Sequence, residues 1–445
     1  MMRRLAACLA LGLTALRAAD ELGANSAKVV AQIDAALQRG DLDRAAEMVE
    51  AAIAREPKAI YFAKRGSLFG KAGDTIAALT DLDKAVALEP LLAEAWTERG
   101  TFFAQRGEPR AALADLNRAI ALDPKLAGAY VTRGTILATL RQPAEALADF
   151  DAAVRLDPRN AAAWALRGGA QIARQDWDAA IADSTKALTL NPKLALAFNN
   201  RAGAHLAKRE RDAALADFEA ALALDPRDAV ALTYRAQLRR LKGDLFKALE
   251  DADSAVKIDS NSAEAYTERA AIRGAMGNLA DAVTDCSTAL LIAGPHPEAL
   301  AVRALLFMEQ SDWSRARDDY EEALALPVPP SPRALQSYAW LLAACPDDGI
   351  RHGARALTLA RQAVEKMAGD LDALDTLAAA HAAAGDFRAA AEAARQAVEA
   401  TPPTEAKPLA ERRERLKLYA DGQPFRLPAA APQRPSFRTN TTAPR

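Results

Sequence analysis

Residues 93–126 read AEAWTERGTFFAQRGEPRAALADLNRAIALDPKL, and the chain on both sides repeats this pattern with a period of 34 residues. The proline of its LDP ending recurs at Pro57, Pro90, Pro124, Pro158, Pro192 and Pro226, after which Ser260 and Gly294 hold the slot. Only the first step, 33 residues, departs from the period. Trp96, Gly100 and Phe103 are spaced by four and three, which puts them on one helix face, and Ala112, Leu116 and Ala119 do the same for a second helix. The junction is Arg106-Gly107-Glu108-Pro109: Gly107 takes the positive φ that ends one helix, and Pro109 suits the first turn of the next. Small residues at Gly100, Ala112 and Ala119 let the two backbones approach closely, and Pro124 ends the second helix. A single hairpin of this kind cannot bury both apolar faces, so stability must come from stacking on its neighbours. The expected fold is an all-α solenoid.

The places of Trp96, Gly100, Phe103, Ala112, Ala119 and Pro124 within their 34-residue period resemble the tetratricopeptide (TPR) repeat. The resemblance implies a right-handed superhelical array of antiparallel helix pairs. Repeat-like segments run over 26–57 (degenerate), 59–92, 93–126, 127–160, 161–194, 195–228, 229–262, 263–296 and 297–330, giving nine TPR or TPR-like repeats in 26–330. PVPPSPR at 327–333 punctuates the array. Residues 331–402 then hold a variant pair with about five extra residues between its helices and a terminal repeat from Leu371 to Pro402. Over 403–426 a charge-dense helix (ERRERLK) is expected as a solvated cap, and the acid-free, Pro-rich 427–445 is expected as a disordered tail. The Trp340–Asp347 stretch, with Leu374–Ala378 and Leu416–Tyr419, resembles a terminal module of exported bacterial TPR proteins, which brings no activity with it.

At the other end, MMRRLAACLALGLTALRAADELG has two arginines, an apolar run from Leu5 to Leu16 and then small residues. It is expected to be a signal peptide over 1–19, cleaved after Ala18 or Ala19, which sends the chain to the periplasm or outside the cell. The run is too short for a permanent bilayer span, so no transmembrane segment is expected in the mature chain. Leu5-Ala6-Ala7-Cys8 spells a lipobox, but it lies too close to Arg4 for lipid attachment at Cys8 to be favoured.

Composition narrows the function classes. Apolar residues make up 51% of the chain and aromatics 5%, so Ala and Leu must form the core. A net charge of −2, from 57 basic and 59 acidic residues, argues against nucleic acid or an anionic membrane as partner. Cys286 sits at the place held by Leu116, Phe150 and Phe218 in other repeats and is expected to be a buried apolar side chain. His205, His296, His352 and His381 lack ligand spacing, and no phosphate loop, nucleophile elbow or zinc motif occurs. No catalytic, metal or cofactor site is therefore expected, and the chain is read as not an enzyme.

Two charged ladders run through eight successive repeats. Arg65, Arg99, Arg133, Arg167, Arg201, Arg235, Arg269 and Arg303 hold the seventh place, and Asp81, Asp115, Asp149, Asp183, Asp217, Asp251, Asp285 and Asp319 the twenty-third. They are expected to pair within a repeat, sixteen residues apart, because pairing to the preceding repeat leaves Arg65 opposite Met48 and Asp319 opposite Ser337. The alternative is a charged stripe for a ligand, disfavoured because ladders of opposite sign and equal extent neutralise each other.

The family resemblance places a groove along the second, fifth, ninth, twelfth and thirteenth places. The carboxylate clamp of some TPR domains is missing: Asn200 fits it, but Ala165, Gly169, Val230 and Tyr234 hold the other slots. Candidate groove residues are Thr97, Thr101, Gln105, Thr135, Thr139, Asn199, Thr233, Gln237, Arg240 and Thr267. The fifth and ninth places are small and uncharged in the middle of the array, which suits an extended segment held by backbone hydrogen bonds. The leading expectation is a noncatalytic scaffold that binds a peptide or protein segment there. The alternatives are a structural component of a cell-envelope assembly and an uncharacterised enzyme.

Overall fold

The structure, a computed structural model, describes residues 26–429. The expected signal peptide with Cys8, and residues 430–445 of the expected tail, lie outside the described residues. Among the described residues 23 helices and no strands occur, in two compact units that meet at Leu224 and Asp225.

In the first unit the helix pairs are α1 (Ser26–Gln38) with α2 (Leu42–Arg55), α3 (Ala59–Ala72) with α4 (Thr75–Leu88), and α5 (Ala93–Gln105) with α6 (Pro109–Leu122). They continue as α7 (Ala127–Thr139) with α8 (Pro143–Leu156), α9 (Ala161–Ala173) with α10 (Trp177–Leu190), and α11 (Ala195–Ala207) with α12 (Arg211–Leu224). The second unit holds α13 (Ala229–Leu241) with α14 (Leu245–Ile258), α15 (Ala263–Ala275) with α16 (Leu279–Ala293), and α17 (Pro297–Glu309) with α18 (Trp313–Ala325). Then come α19 (Pro332–Ala344) with α20 (Gly353–Lys366), α21 (Leu371–Ala383) with α22 (Phe387–Ala400), and the final α23 (Ala406–Ala420). Within each unit every pair packs on the next.

Local chemistry explains why each hairpin turns where it does. The fifteenth place of each repeat is left-handed, with φ of +73° at Gly107, and that turn reverses the chain within a few residues. Four repeats hold the same conformation without glycine, at Arg141 (φ 58°), Gln175 (62°), Arg209 (63°) and Ser311 (60°). The next place commonly carries an aspartate that caps the second helix: the Asp74 and Asp176 carboxylates accept from the Ala77 and Ala179 amides. Pro109 and Pro143 occupy first-turn positions that need no amide donor.

The pair closes over small side chains. A Cβ added at Gly100 would stand 2.9 Å from Leu116 Cγ and 3.2 Å from the Ala112 carbonyl oxygen, so only hydrogen fits between α5 and α6. Ala112, Leu116 and Ala119 are fully buried behind it, and burying the leucine alone contributes roughly 1.5–3 kcal/mol. In the second unit the largest apolar cluster joins α17 to α23, with Tyr320 stacked on Tyr338 at 5.0 Å.

At the end of the second unit most of α23 is exposed, but two of its arginines turn inward. Although α23 is rich in charge, Arg412 is buried and donates to Thr401 and Asp372, while Arg415 pairs with the buried Asp375 at 2.6 and 3.1 Å. Acidic residues on α21 draw these guanidinium groups inward, so the helix is clipped to its neighbour by charge. Beyond it, Phe425 lies against Trp340, and the Leu427 amide donates to the Ala344 carbonyl at 2.7 Å. The chain thus returns to α19 and is hydrogen-bonded at the first residue of the expected tail.

Candidate functional site

Each of the eight seventh-place arginines donates from Nε and Nη2 to both oxygens of the aspartate sixteen residues later. The distances run from 2.6 to 3.0 Å. All eight aspartates are buried. The geometry is the bidentate fork that a guanidinium and a carboxylate form best. In addition, Nη1 reaches back sixteen residues into the preceding repeat, to Asp83 from Arg99, Asn117 from Arg133 and Asp151 from Arg167. Arg99, Arg133 and Arg167 therefore each join their own two helices and the preceding pair. With three nitrogens engaged, such an arginine has little left for a ligand.

Most candidate threonines spend their hydroxyl proton on their own helix. Thr97 donates to the Ala93 carbonyl, Thr135 to Val131, Thr139 to Ile136, Thr233 to Ala229 and Thr267 to Ala263, at 2.7–3.0 Å. Thr101 lies 3.5 Å from the Thr132 hydroxyl. Toward a ligand these side chains present acceptor lone pairs more than donors. Gln105 is exposed and Asn199 half-buried. Asn200 donates to the Ala165 carbonyl at 2.8 Å and so links α11 to α9.

The structure brings four of the candidates together. Thr233, Gln237 and Arg240 from α13 and Thr267 from α15 line one cavity of about 320 Å³ in the second unit, with Val230, Tyr234, Ser262, Glu264, Glu268, Ala271, His296, Glu298 and Val302. Its walls are the first helices of three successive repeats, α13, α15 and α17. Thr233, Thr267 and Glu268 are buried in it, whereas Glu264 and Glu298 are exposed. Arg240 holds Glu268 through Nε–Oε1 at 2.6 Å and Nη2–Oε2 at 3.2 Å. Burial raises the Glu268 carboxyl above the usual range even against the pull of Arg240, and Glu298 adds to the rise.

The expected uncharged groove misses Glu268 because it leaves out the sixth place, where Tyr234, Glu268 and Val302 sit, and it misses the charge of Glu264 and Glu298 because it weighs the fifth and ninth places and not the second, where these two stand. The sixth place faces the neighbouring repeat. In the first unit its occupants Lys64 and Glu98 pair at 2.7 Å, with Asp34 at 2.9 Å. Burial pulls the Lys64 ammonium down, but the two carboxylates more than offset it and hold its pKa above the ordinary value. Opposite charges one period apart, at Lys64 and Glu98, were the sequence signal for this contact.

Among the described residues no group of three or more His, Cys, Asp or Glu is placed to hold a metal ion, and no helix is long and apolar enough to cross a membrane. The tetratricopeptide repeat profile matches residues 30–66, 63–127, 131–195, 199–263 and 267–332, more than half of the chain. Among solved structures, the APC/C hetero-tetramer Cut9–Hcn1 aligns with a TM-score of 0.56 at 13% identity, over 88% of this chain and 84% of that one, a likeness of fold. A tetratricopeptide repeat protein from Parabacteroides merdae aligns at 22% identity over 56% of this chain and 98% of its own, with a TM-score of 0.44. Yeast Tom70 does so at 15% identity over 88% and 95%, with a TM-score of 0.41. No curated protein matches the chain in sequence.

Proposed function

Because the chain belongs to the tetratricopeptide repeat family, we propose that it is a noncatalytic interaction scaffold that holds an extended segment of a partner protein against α13, α15 and α17. The observation that carries this reading is the cavity itself: side chains from three successive repeats converge on it, and Val230 and Tyr234 on its wall remain 59% and 40% exposed. Threonine acceptors and Gln237 supply polar partners for a backbone, and the aliphatic wall supplies contact area. The order of basic, apolar and small residues at positions 1–19 supports export of this scaffold to the periplasm or beyond the cell.

The test is affinity capture from the producing cell, with the chain as bait in wild-type form and with Gln237→Arg plus Ala271→Trp. A partner held in the cavity is expected to be lost from the variant bait while its helical circular dichroism is unchanged. Full retention of every partner by the folded variant overturns the reading.

A further inference from the structure

We propose that the cavity between α13, α15 and α17 recognises a lysine or arginine side chain of the bound segment, an inference that rests on the scaffold reading above. The cavity contains three glutamates and one arginine, and that arginine is already spent. Arg240 makes both of its short contacts to Glu268, so the pair on the floor is close to neutral. Glu264 and Glu298 then stand in the first turns of α15 and α17, and among the described residues neither has a hydrogen-bond or salt-bridge partner. Their positions at helix starts account for a favourable interaction with the helix dipoles. Convergence on one cavity is a separate fact, since a carboxylate in that turn need not face its counterpart in the next repeat. Nearby, the buried His296 Nδ1 has no hydrogen-bond partner.

The walls suit the rest of such a side chain. Val230, Ala271 and Val302 offer an aliphatic channel for its methylene stem, and the Tyr234 ring offers a surface on which a cation is attracted. At about 320 Å³ the space lies at the small end of ligand clefts, which span roughly 300–1,000 Å³, so it fits one long side chain and its adjoining backbone. An acidic side chain in the same place meets two unpaired carboxylates and a guanidinium that has no charge left to share.

The experiment selects a random dodecapeptide phage library on the full chain, and sorts the binders by whether Ala271→Trp or, as a second way of filling the cavity, Val302→Trp abolishes binding. Cavity-dependent peptides are expected to carry a lysine or arginine. Their affinity, measured by fluorescence anisotropy, is expected to fall about tenfold or more, about 1.4 kcal/mol, in Glu264→Gln/Glu298→Gln, and by a similar factor when the basic residue is replaced by norleucine. Cavity-dependent peptides that lack a basic residue, or that bind the double glutamine variant unchanged, overturn this inference and leave the scaffold reading standing. Binders that all survive both tryptophan variants, or no binders at all, overturn both. Circular dichroism of each variant identifies misfolding, and the exposed glutamine pair supplies the decisive comparison if either tryptophan variant unfolds.

Discussion

Arg167 and Asp183 give the sharpest test of what holds the pairs together. Their side chains are 19% and 7% exposed, and they meet at 2.6 Å. Replacing Arg167 by alanine leaves a carboxylate in a dry site with no cation, a loss of about 3–5 kcal/mol. Replacing Asp183 by alanine is milder, because Arg167 keeps Asp151 at 2.9 Å and the face of Trp164 at 4.6 Å; about 2 kcal/mol is expected for the lost charged hydrogen bonds. The double variant strands neither charge, so its loss should fall short of the sum by about 2 kcal/mol or more, which is the coupling. Stacked repeats need not unfold all at once. Urea unfolding should therefore be read together with amide hydrogen exchange in α9 and α10. Single losses that add to the double within about 0.5 kcal/mol, or an Asp183→Ala loss larger than that of Arg167→Ala, would refute the reasoning.

Glycine at the four left-handed positions, as Arg141→Gly, Gln175→Gly, Arg209→Gly and Ser311→Gly, should raise stability by about 0.5–1 kcal/mol each; a quadruple variant that melts no higher than the parent rejects this. Gly100→Val should cost about 1–3 kcal/mol by overpacking Leu116, whereas Gly128→Ala, with open space around its added Cβ, should cost nothing in the same melting assay. Burial pushes the Cys286 thiol up to about 12 and raises the Tyr320, Tyr338 and Tyr419 phenols. Folded values above unfolded ones mean that their contribution is full below the unfolded pKa and is lost as pH rises toward the folded one. The urea midpoint should thus fall from about pH 9 upward, less steeply in Cys286→Ala, and a flat profile counts against it. We further propose that the mature chain starts near Ala19 or Asp20; N-terminal sequencing of exported protein decides it, and recovery of Met1 only from cytoplasm is the contrary result.

What was legible in the sequence was whatever the period enforces. Gly107, Pro109 and the Leu-Asp-Pro endings locate turns because their reasons are local: a positive φ, a missing amide, a blocked helix. The Arg and Asp ladders were legible because their repetition defines a pairing register. Contacts that cross from one repeat to the next were harder to read. The Nη1 bond of Arg167 to Asp151 has different partners in other repeats, Asn117 or Thr185, so no single residue type marks it. Glu264, Glu268 and Glu298 line one cavity only because each first helix is rotated by a given amount against the next, which periodicity alone does not specify. Arg412 and Arg415 looked like surface charge because their partners, Asp372 and Asp375, lie 40 residues away.

The backward reach of ladder arginines such as Arg133 and Arg167 makes the chain modular in length. Excising residues 127–160, one whole period, splices Leu126 to Ala161 and sets Arg167 behind the repeat that ends at Leu126. Its Nη1 then meets Asn117, the acceptor that Arg133 uses at 2.7 Å in the intact chain, so the arginine contact across the splice is of a kind the protein already makes. An excision that is not a whole number of periods puts the two sides out of phase and takes Arg167 out of register with these acceptors. The same arithmetic tells an engineer where the chain can be shortened.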